Sequence, residues 1–324
     1  MMPTITSWVL AATLCAATAA HAQAPAETFP NKALKIMVPF AAGSGADSAS
    51  RFYGELMAKG FGQQVVVENK PGASGVIAVQ AVKQLPADGY TILMGSNSPV
   101  VVNAITIKNL PYDPFKDLRP LYGIAISPVA FAVRADSPHK TIGDLVAAAK
   151  KAGRPLQLGN YSAGYQLVGA WLGTASGLPV THIPYKGGAQ MLTDVIGNQL
   201  EVGVIDFTGT TELMKGGRIR VLAITADKRE PKYPDIPTMR ESGFPDFETW
   251  VWSAFFMRAE TPTEVVDKLA AAMHKAMTSE AGRAYQATLP SMPMLMGPKE
   301  LGDFQLREFQ RFKKVADAAG IKPE

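Results

Sequence analysis

The sequence is poor in the residues that support metal and thiol chemistry. It has one cysteine, Cys15, and four histidines that are well separated along the chain. Neither an H-E-x-x-H pattern nor a Cys/His cluster occurs, so we expect no metal site and no cofactor. One cysteine cannot form a disulfide within the chain. These absences argue against a metalloenzyme and against a disulfide-stabilised scaffold.

Long charged runs and long apolar runs are also missing. Lys and Arg together number 32 and Asp and Glu 28, which gives a net charge of +4 that is scattered over the sequence. Without a basic cluster or a recognisable motif, we expect no nucleic-acid partner. A membrane span needs about 20 consecutive apolar residues, and no apolar run here reaches that length. With 47% hydrophobic and 19% charged residues, the composition is that of a globular protein.

The first residues differ in pattern from the rest of the chain. Ser7–Ala20 is small and apolar, and Ala20-His21-Ala22 has the A-x-A form of a signal-peptidase site. This predicts a secretory signal peptide at residues 1–22, cleaved after Ala22, and hence a periplasmic protein. Met1–Thr6 departs from the usual pattern because it lacks Lys and Arg. A membrane anchor is the alternative, but the apolar run is too short to span a bilayer.

Strand and helix patterns alternate along the chain. Short apolar runs predict strands, and stretches with an apolar period of three to four predict helices. The predicted strands are 34–38, 65–67, 91–94, 128–134, 156–159, 200–206, 219–225 and 249–257; the predicted helices begin near 47, 75, 141, 263 and 303, with one more through Leu167. This alternation predicts an α/β fold with mostly parallel sheets.

The length of the chain favours two domains, because single cores stop growing near about 250–300 residues. The strand and helix rhythm restarts after residue 125 and returns near residue 250. We therefore predict domain 1 at residues 28–125 and 250–324 and domain 2 at residues 126–249, joined by two crossings.

A strand–loop–helix unit rich in small residues occurs once in each predicted domain. The first loop runs from Pro39 to Asp47, with Asp47 as the predicted helix N-cap, and the second is residues 160–164. Small side chains leave backbone N–H groups open, and a helix N-terminus attracts anions. Gly43 and Gly45 allow positive φ where the first loop must turn. Because ligands of open α/β sheets bind beyond the carboxyl ends of strands, we expect both loops to bind one carboxylate.

Other interpretations of these loops have weaker support. A Gly/Ala-rich turn is often only a tight connection, and Ser48 stands where the nucleotide motif G-x-G-x-x-G needs its third glycine. The second loop lacks the glycine two positions before Ser162 that a nucleophile elbow requires. His182 is expected to be a structural hydrogen-bonding group, and Lys186 a structural or surface residue. We therefore expect a binding protein and not an enzyme.

A series of short motifs extends over the chain after the predicted signal peptide. The most specific is His182-Ile183-Pro184-Tyr185-Lys186-Gly187-Gly188-Ala189-Gln190. The others include Val38-Pro39-Phe40, Glu68-Asn69-Lys70-Pro71-Gly72-Ala73, Asp88-Gly89-Tyr90-Thr91, Leu110-Pro111-Tyr112-Asp113-Pro114, Gly217-Arg218-Ile219-Arg220-Val221-Leu222-Ala223 and Pro234-Asp235-Ile236-Pro237-Thr238. In this order and spacing, the chain resembles the Bug family, the periplasmic solute receptors of tripartite tricarboxylate transporters.

The resemblance implies a two-domain type II periplasmic binding-protein fold with the ligand in the cleft between the domains. It also implies a first arm from Phe40 to Asp47 and a second from Ser162 to Tyr165, which close on a small organic carboxylate. Asp206 matches a position that lines the cleft in the family, where its charge would disfavour a second ligand carboxylate. The expected ligand-binding residues are Phe40, Ala41, Ala42, Gly43, Ser44, Gly45, Ala46, Asp47, Tyr161, Ser162, Ala163, Gly164, Tyr165 and Asp206.

The second loop departs from the longer, glycine-richer form that is commoner in the family, since Ala163-Gly164-Tyr165-Gln166 stands in its place. The ligand therefore stays open: amino acids, dicarboxylates, tricarboxylates and aromatic acids all fit the resemblance. The expected partners are this carboxylate and the membrane permease subunits of a tripartite transporter, and we expect a monomer. A carboxylate sensor that signals to a membrane kinase is the alternative, and a periplasmic enzyme acting on a carboxylate is a weaker one.

We expect the mature chain to begin at Gln23, because signal peptidases cleave after an A-x-A site. N-terminal sequencing of the protein from a periplasmic extract measures this directly. Retention of Met1 in that extract would contradict the predicted signal peptide.

Overall fold

The computed structural model describes residues 29–323, so the predicted signal peptide and its cleavage site lie outside the described residues. The strands are β1 (Leu34–Val38), β2 (Val65–Asn69), β3 (Thr91–Ser96), β4 (Leu118–Arg134), β5 (Leu156–Asn160), β6 (Val180–Pro184), β7 (Val202–Asp206), β8 (Ile219–Ile224), β9 (Trp250–Arg258) and β10 (Met292–Pro293). The helices are α1 (Gly45–Phe61), α2 (Val76–Lys83), α3 (Asn103–Thr106), α4 (Ile142–Ala152), α5 (Ala163–Ser176), α6 (Gly188–Ile196), α7 (Thr211–Lys215), α8 (Thr263–Thr278), α9 (Glu280–Thr288) and α10 (Pro298–Ala318). Short 3-10 or π-helical turns lie at Ala73–Gly75, Ser98–Val102 and Phe207–Thr210.

Two groups of strands share the long strand β4. β1, β2 and β3 are parallel, and β9 pairs antiparallel with both β3 and the first part of β4; with β10 we call these the first sheet. β5, β6 and β7 are parallel, and β7 and β8 pair antiparallel with the last part of β4; these form the second sheet. The partner of β4 changes between Pro128 and Val129. The residue ranges of the two domains stay a prediction.

Apolar side chains cover both faces of each sheet, because neighbouring strand residues point to opposite faces. In β9, Phe255 packs into one core of the first sheet and Phe256 into the other. In β7, Val204 and Ile205 divide in the same way between the two cores of the second sheet. Helix α5 belongs mainly to the second sheet, but its residues Ala163 and Leu167 pack into a core of the first sheet. The N-terminus of α5 is therefore held against the first sheet.

Most of the predicted elements are confirmed, and the differences have local causes. Strand β1 has the predicted bounds, and α4 begins near residue 141 as predicted, with Thr141 as its N-cap in a capping box. Strand β4 begins at Leu118, well before the predicted strand at 128–134. β6, α6 and α9 were not predicted. β6 alternates half-buried and exposed residues, so it lacks an apolar run, and α6 opens after Gly187 without a side-chain cap.

The prediction that Asp47 caps α1 is wrong. Ser44 is the N-cap residue: its backbone is extended and its hydroxyl accepts a hydrogen bond from the Asp47 N–H at 3.2 Å. Asp47 is the third residue of the helix. Serine and aspartate are both favoured caps, and the positive φ of Gly43 turns the loop one residue before Ser44. Gly45 lies within α1 and does not have positive φ.

The Asp47 carboxylate holds the loop before α1 in place. It accepts hydrogen bonds from the Gly43 N–H at 2.9 Å, from Asn69 Nδ2 at 3.0 Å and from Arg51 Nε at 3.2 Å. Asn69 Nδ2 also donates to the Phe40 carbonyl oxygen at 3.0 Å. Burial alone would raise the pKa of Asp47, but the hydrogen bonds from Arg51, Gly43 and Asn69 outweigh it and lower the pKa. The carboxylate therefore stays ionised and links β2, the loop and α1.

Replacing Asp47 with Asn is expected to reduce the free energy of unfolding at neutral pH by about 1–3 kcal/mol, because three donors lose a buried, charged acceptor. Since the folded-state pKa is lowered, the carboxylate stabilises the fold above the unfolded pKa and loses this effect as the pH falls through the folded pKa. Urea unfolding at neutral pH and at about pH 3 measures the difference, which should shrink in acid.

Asp303→Asn is the control, because Asp303 is an exposed partner of Lys299 and its loss should leave the stability nearly unchanged. A loss for Asp47→Asn that is the same at both pH values would contradict the role of the charge.

Candidate functional site

The first arm, residues 40–47, presents backbone donors that the protein does not use. Within the described part of the chain, the N–H groups of Ala41, Ala42, Gly45 and Ala46 have no hydrogen-bond acceptor, whereas the N–H groups of Gly43, Ser44 and Asp47 do. Ala41, Ala42 and Gly45 are exposed. These donors lie at the N-terminus of a 17-residue helix, whose dipole favours a negative charge there. The arm can therefore bind an anion without a side-chain cation.

The second arm, residues 162–165, is already in contact with the first sheet. The Ala163 N–H donates to Ser74 Oγ at 3.1 Å, and the Gly164 N–H donates to Ser98 Oγ at 3.0 Å. A Cβ atom at Gly164 would lie 3.3 Å from Ser98 Oγ, so a glycine lets the two surfaces meet. Two amides that the sequence analysis expected to bind the ligand thus bind serine hydroxyls instead.

Ser74 and Ser98 come from the carboxyl ends of two strands of the first sheet. Ser74 lies in the turn between β2 and α2, where Gly72, Ala73, Ser74 and Gly75 all have positive φ. Non-glycine residues in this conformation cost about 1–3 kcal/mol each and cluster at functional sites. Ser98 is buried and follows β3. Neither serine was expected from the sequence, although the glycines around Ser74 signalled an unusual turn.

Tyr161, Tyr165 and Asp206 form a hydrogen-bonded cluster in the second sheet. The Tyr161 hydroxyl donates to Asp206 Oδ2 at 2.9 Å, and the Tyr165 hydroxyl lies 3.1 Å from that of Tyr161 and 3.5 Å from Oδ2. The other oxygen, Oδ1, accepts from the Gly209 N–H at 2.8 Å. Burial, together with the charge of Asp206, raises the pKa of both tyrosines, and burial raises the pKa of Asp206. Both hydroxyls therefore stay protonated at neutral pH.

This cluster lies where the second sheet meets the first. A Cβ atom at Gly188 would be 3.2 Å from the Tyr161 ring, and one at the preceding Gly187 would be 4.0 Å from Cβ of Ala41 in the first arm. Two residues after Asp206, Thr208 Oγ1 lies 3.3 Å from Ser127 Oγ in β4. The structure thus brings the two arms and the cluster to one boundary, at the carboxyl ends of the parallel strands. This is where open α/β sheets bind ligands.

Four other side chains close to these residues are packed, paired or exposed: Phe40, Arg51, Lys186 and His182. Phe40 is half-buried against the core beside α1, and Arg51 is paired with Asp47. Lys186 is exposed. His182 is half-buried, and burial lowers its pKa, so it is neutral at neutral pH. Between residues 29 and 323, no group of three or more His, Cys, Asp and Glu side chains could hold a metal ion.

A surface groove of ≈ 410 Å³ lies elsewhere, with Pro128, Trp250 and Met292 among its lining residues. Two basic residues of its wall are already bonded, Arg229 to Glu241 and Lys232 to the Ala287 carbonyl oxygen. None of the expected site residues lines it. The boundary between the arms, with its unused donors, is therefore the better candidate for an anion site. None of the helices in the described range is long and apolar enough to cross a membrane.

The chain is similar over most of its length to proteins of one family. The family model described as "Tripartite tricarboxylate transporter family receptor" matches residues 50–321. A UPF0065 protein of Bordetella bronchiseptica is 33% identical over 301 residues, which cover 93% of this chain and 89% of that protein.

Two solved structures are similar over 91% of this chain and 100% of their own. Rpa4515 of R. palustris, solved with adipate, is 31% identical with a TM-score of 0.87, and the periplasmic binding protein BugD is 30% identical with a TM-score of 0.85. These matches confirm the resemblance to the Bug family and the two-domain α/β binding-protein fold. The chain therefore belongs to the family of tripartite tricarboxylate transporter receptors, whose members are periplasmic solute-binding proteins and not enzymes.

Proposed function

We propose that this receptor binds a small organic carboxylate at the N-terminus of α1 and delivers it to the permease subunits of a tripartite transporter. We further propose that it acts as a monomer in the periplasm after removal of residues 1–22. The observation that carries this proposal is the set of unused N–H groups in the first arm, which faces the second sheet across Ala41 and Gly187.

The strength of such a site is sufficient without a formal positive charge. A hydrogen bond to a charged group contributes about 1.5–3 kcal/mol, and a helix N-terminus adds about 0.3–1 kcal/mol. Several converging amides therefore match the contribution of one Lys or Arg. The neighbour Rpa4515 was solved with adipate, a carboxylate, which supports the same class of ligand for this chain.

The residues of the two arms have different roles in this proposal. Ala41, Ala42, Gly45 and Ala46 donate to the carboxylate, while Asp47 shapes the arm from behind, because its oxygens are occupied by protein donors. In the second arm the Tyr165 N–H and the Ser162 hydroxyl have no acceptor or donor partner in residues 29–323 and are free for the ligand.

Ala163 and Gly164 act indirectly in this proposal, through the bonds that join their amides to Ser74 and Ser98. These two bonds cross from the second sheet to the first, so they form only when the arms are together. They therefore stabilise the arrangement in which the ligand is enclosed.

The two chain crossings are the expected hinge of the predicted domains 28–125 with 250–324 and 126–249. On one side, the buried Thr225 hydroxyl accepts from the Val129 N–H at 2.8 Å and donates to the Thr249 carbonyl at 2.5 Å, which ties the crossings together. On the other side, Asn97 bonds to the backbone of β9 at Trp250 and Trp252. Hinge closure around a ligand is a common response of binding proteins of this kind.

Gly45→Val is expected to weaken carboxylate binding by about tenfold or more, because a branched side chain at the first residue of α1 covers the donors of Gly45 and Ala46. A thermal-shift screen of carboxylates first identifies a ligand, and calorimetry then compares the variants. Gly60→Val is the matched control. Both glycines lie in α1 with open space around the Cβ position and without positive φ.

Gly60→Val should bind like the wild type and unfold at the same temperature as Gly45→Val. If Gly45→Val binds the ligand as tightly as the wild type, the carboxylate does not sit at the first arm. If no carboxylate raises the melting temperature of the wild type, the proposed ligand class is wrong.

Saturation of the wild type with the identified ligand is expected to leave the radius of gyration unchanged or to make it smaller. The double variant Ser74→Ala with Ser98→Ala is expected to have a larger radius of gyration than the wild type when no ligand is present. The double variant removes both acceptors that hold the N-terminus of α5 against the first sheet. Small-angle X-ray scattering measures both effects. A double variant as compact as the wild type without ligand would show that the serines do not hold the arms together.

A further inference from the structure

The cluster of Tyr161, Tyr165 and Asp206, which we call the negative pole, lies at the same boundary between the two sheets as the first arm. In residues 29–323, Asp206 forms no ion pair with Lys, Arg or His, and its hydrogen-bond partners are two hydroxyls and one backbone N–H. Asp47, by contrast, is paired with Arg51. The site therefore holds one half-buried negative charge that the protein leaves without a cation.

The hydroxyl protons of both tyrosines are used within the negative pole, so its oxygen atoms can only accept further hydrogen bonds. Tyr161 has one hydroxyl proton and donates it to Asp206. The Tyr165 hydroxyl donates its proton to Asp206 Oδ2 at 3.5 Å, and its oxygen lies 3.1 Å from that of Tyr161. No hydroxyl proton is then left to point away from the cluster, and a carboxylate and hydroxyl oxygens accept without donating. A ligand group that meets this pole must donate hydrogen bonds.

The cap that Asp206 makes for the turn at Phe207–Thr210 does not require the charge. Its Oδ1 accepts from the Gly209 N–H, and asparagine or serine caps a helical turn about as well as aspartate. A half-buried charge without a partner is costly. A positive group that arrives with the ligand would offset this cost.

We propose that the ligand is an aminocarboxylate whose carboxylate binds the first arm and whose ammonium group binds Asp206, with the hydroxyls of Tyr161 and Tyr165 completing the pole. This inference rests on the proposed function, since it assumes a carboxylate at α1. A second ligand carboxylate at Asp206 would meet a like charge and would find no free donor.

The test compares matched ligands by calorimetry on the full mature chain. Succinate, glutarate and adipate are measured against 3-aminopropanoate, 4-aminobutanoate and 5-aminopentanoate, respectively. In each pair the methylene groups are the same, and an ammonium group replaces one carboxylate. For at least one chain length, the wild type should bind the aminocarboxylate about tenfold or more tighter than its dicarboxylate. Asp206→Asn should reduce this ratio to about one or reverse it.

The ratio of affinities separates recognition of the ammonium group from structural damage, because a misshapen site weakens the binding of both ligands of a pair. Asp136→Asn is the control variant: it removes the same charge from an exposed residue paired with Arg134 and should leave the ratio unchanged. Tyr161→Phe should lower the ratio in the same direction as Asp206→Asn.

If dicarboxylates bind the wild type as tightly as the aminocarboxylates, or if Asp206→Asn leaves the ratio unchanged, the inference is overturned while the carboxylate receptor stands. If neither series binds and Gly45→Val has no effect on any carboxylate, the proposed function fails as well.

Discussion

The first N–H groups of a helix have no acceptor within the helix, and the site of this protein depends on how two helices meet that constraint. In α5 the first two amides bind serine hydroxyls of the first sheet. In α1 the first two amides, and two more in the preceding loop, bind nothing in the described chain. One helix end therefore joins the two sheets, and the other is left for an anion.

The two aspartates of the site show how partners set the role of a charge. Asp206 ends β7 and caps the turn at Phe207–Thr210, whereas Asp47 lies in the first turn of α1. Donors that include Arg51 lower the pKa of Asp47 in spite of its burial, whereas burial without a cation raises the pKa of Asp206. The first is a structural charge that is paired within the protein, and the second is a half-buried carboxylate without a basic partner among residues 29–323.

The position of both helix ends relative to each other depends on β4 and β9, which continue from one sheet towards the other. These strands pair with each other up to Pro128 and Trp250, and the proposed hinge lies just beyond that pair. Thr225 and Asn97 bond to the backbone there. The proposed opening would separate the amides of Ala163 and Gly164 from Ser74 and Ser98.

Local sequence was enough to predict the strand and helix rhythm and the two loops of small residues, because apolar runs and small residues mark them. Asp206 was expected at the cleft only from the family resemblance, and its hydrogen bonds with Tyr161 and Tyr165 were not predicted. Local sequence also allowed two N-caps for α1, and only the turn at Gly43 selected Ser44 over Asp47. Ser74, Ser98 and Asn69 were not predictable as site residues, since each acts on a partner at least 22 positions away in the sequence. The fold class follows from the periodicity of apolar residues. Whether a helix N-terminus joins the two sheets, as in α5, or keeps free N–H groups, as in α1, was decided by which side chains the tertiary structure places before it.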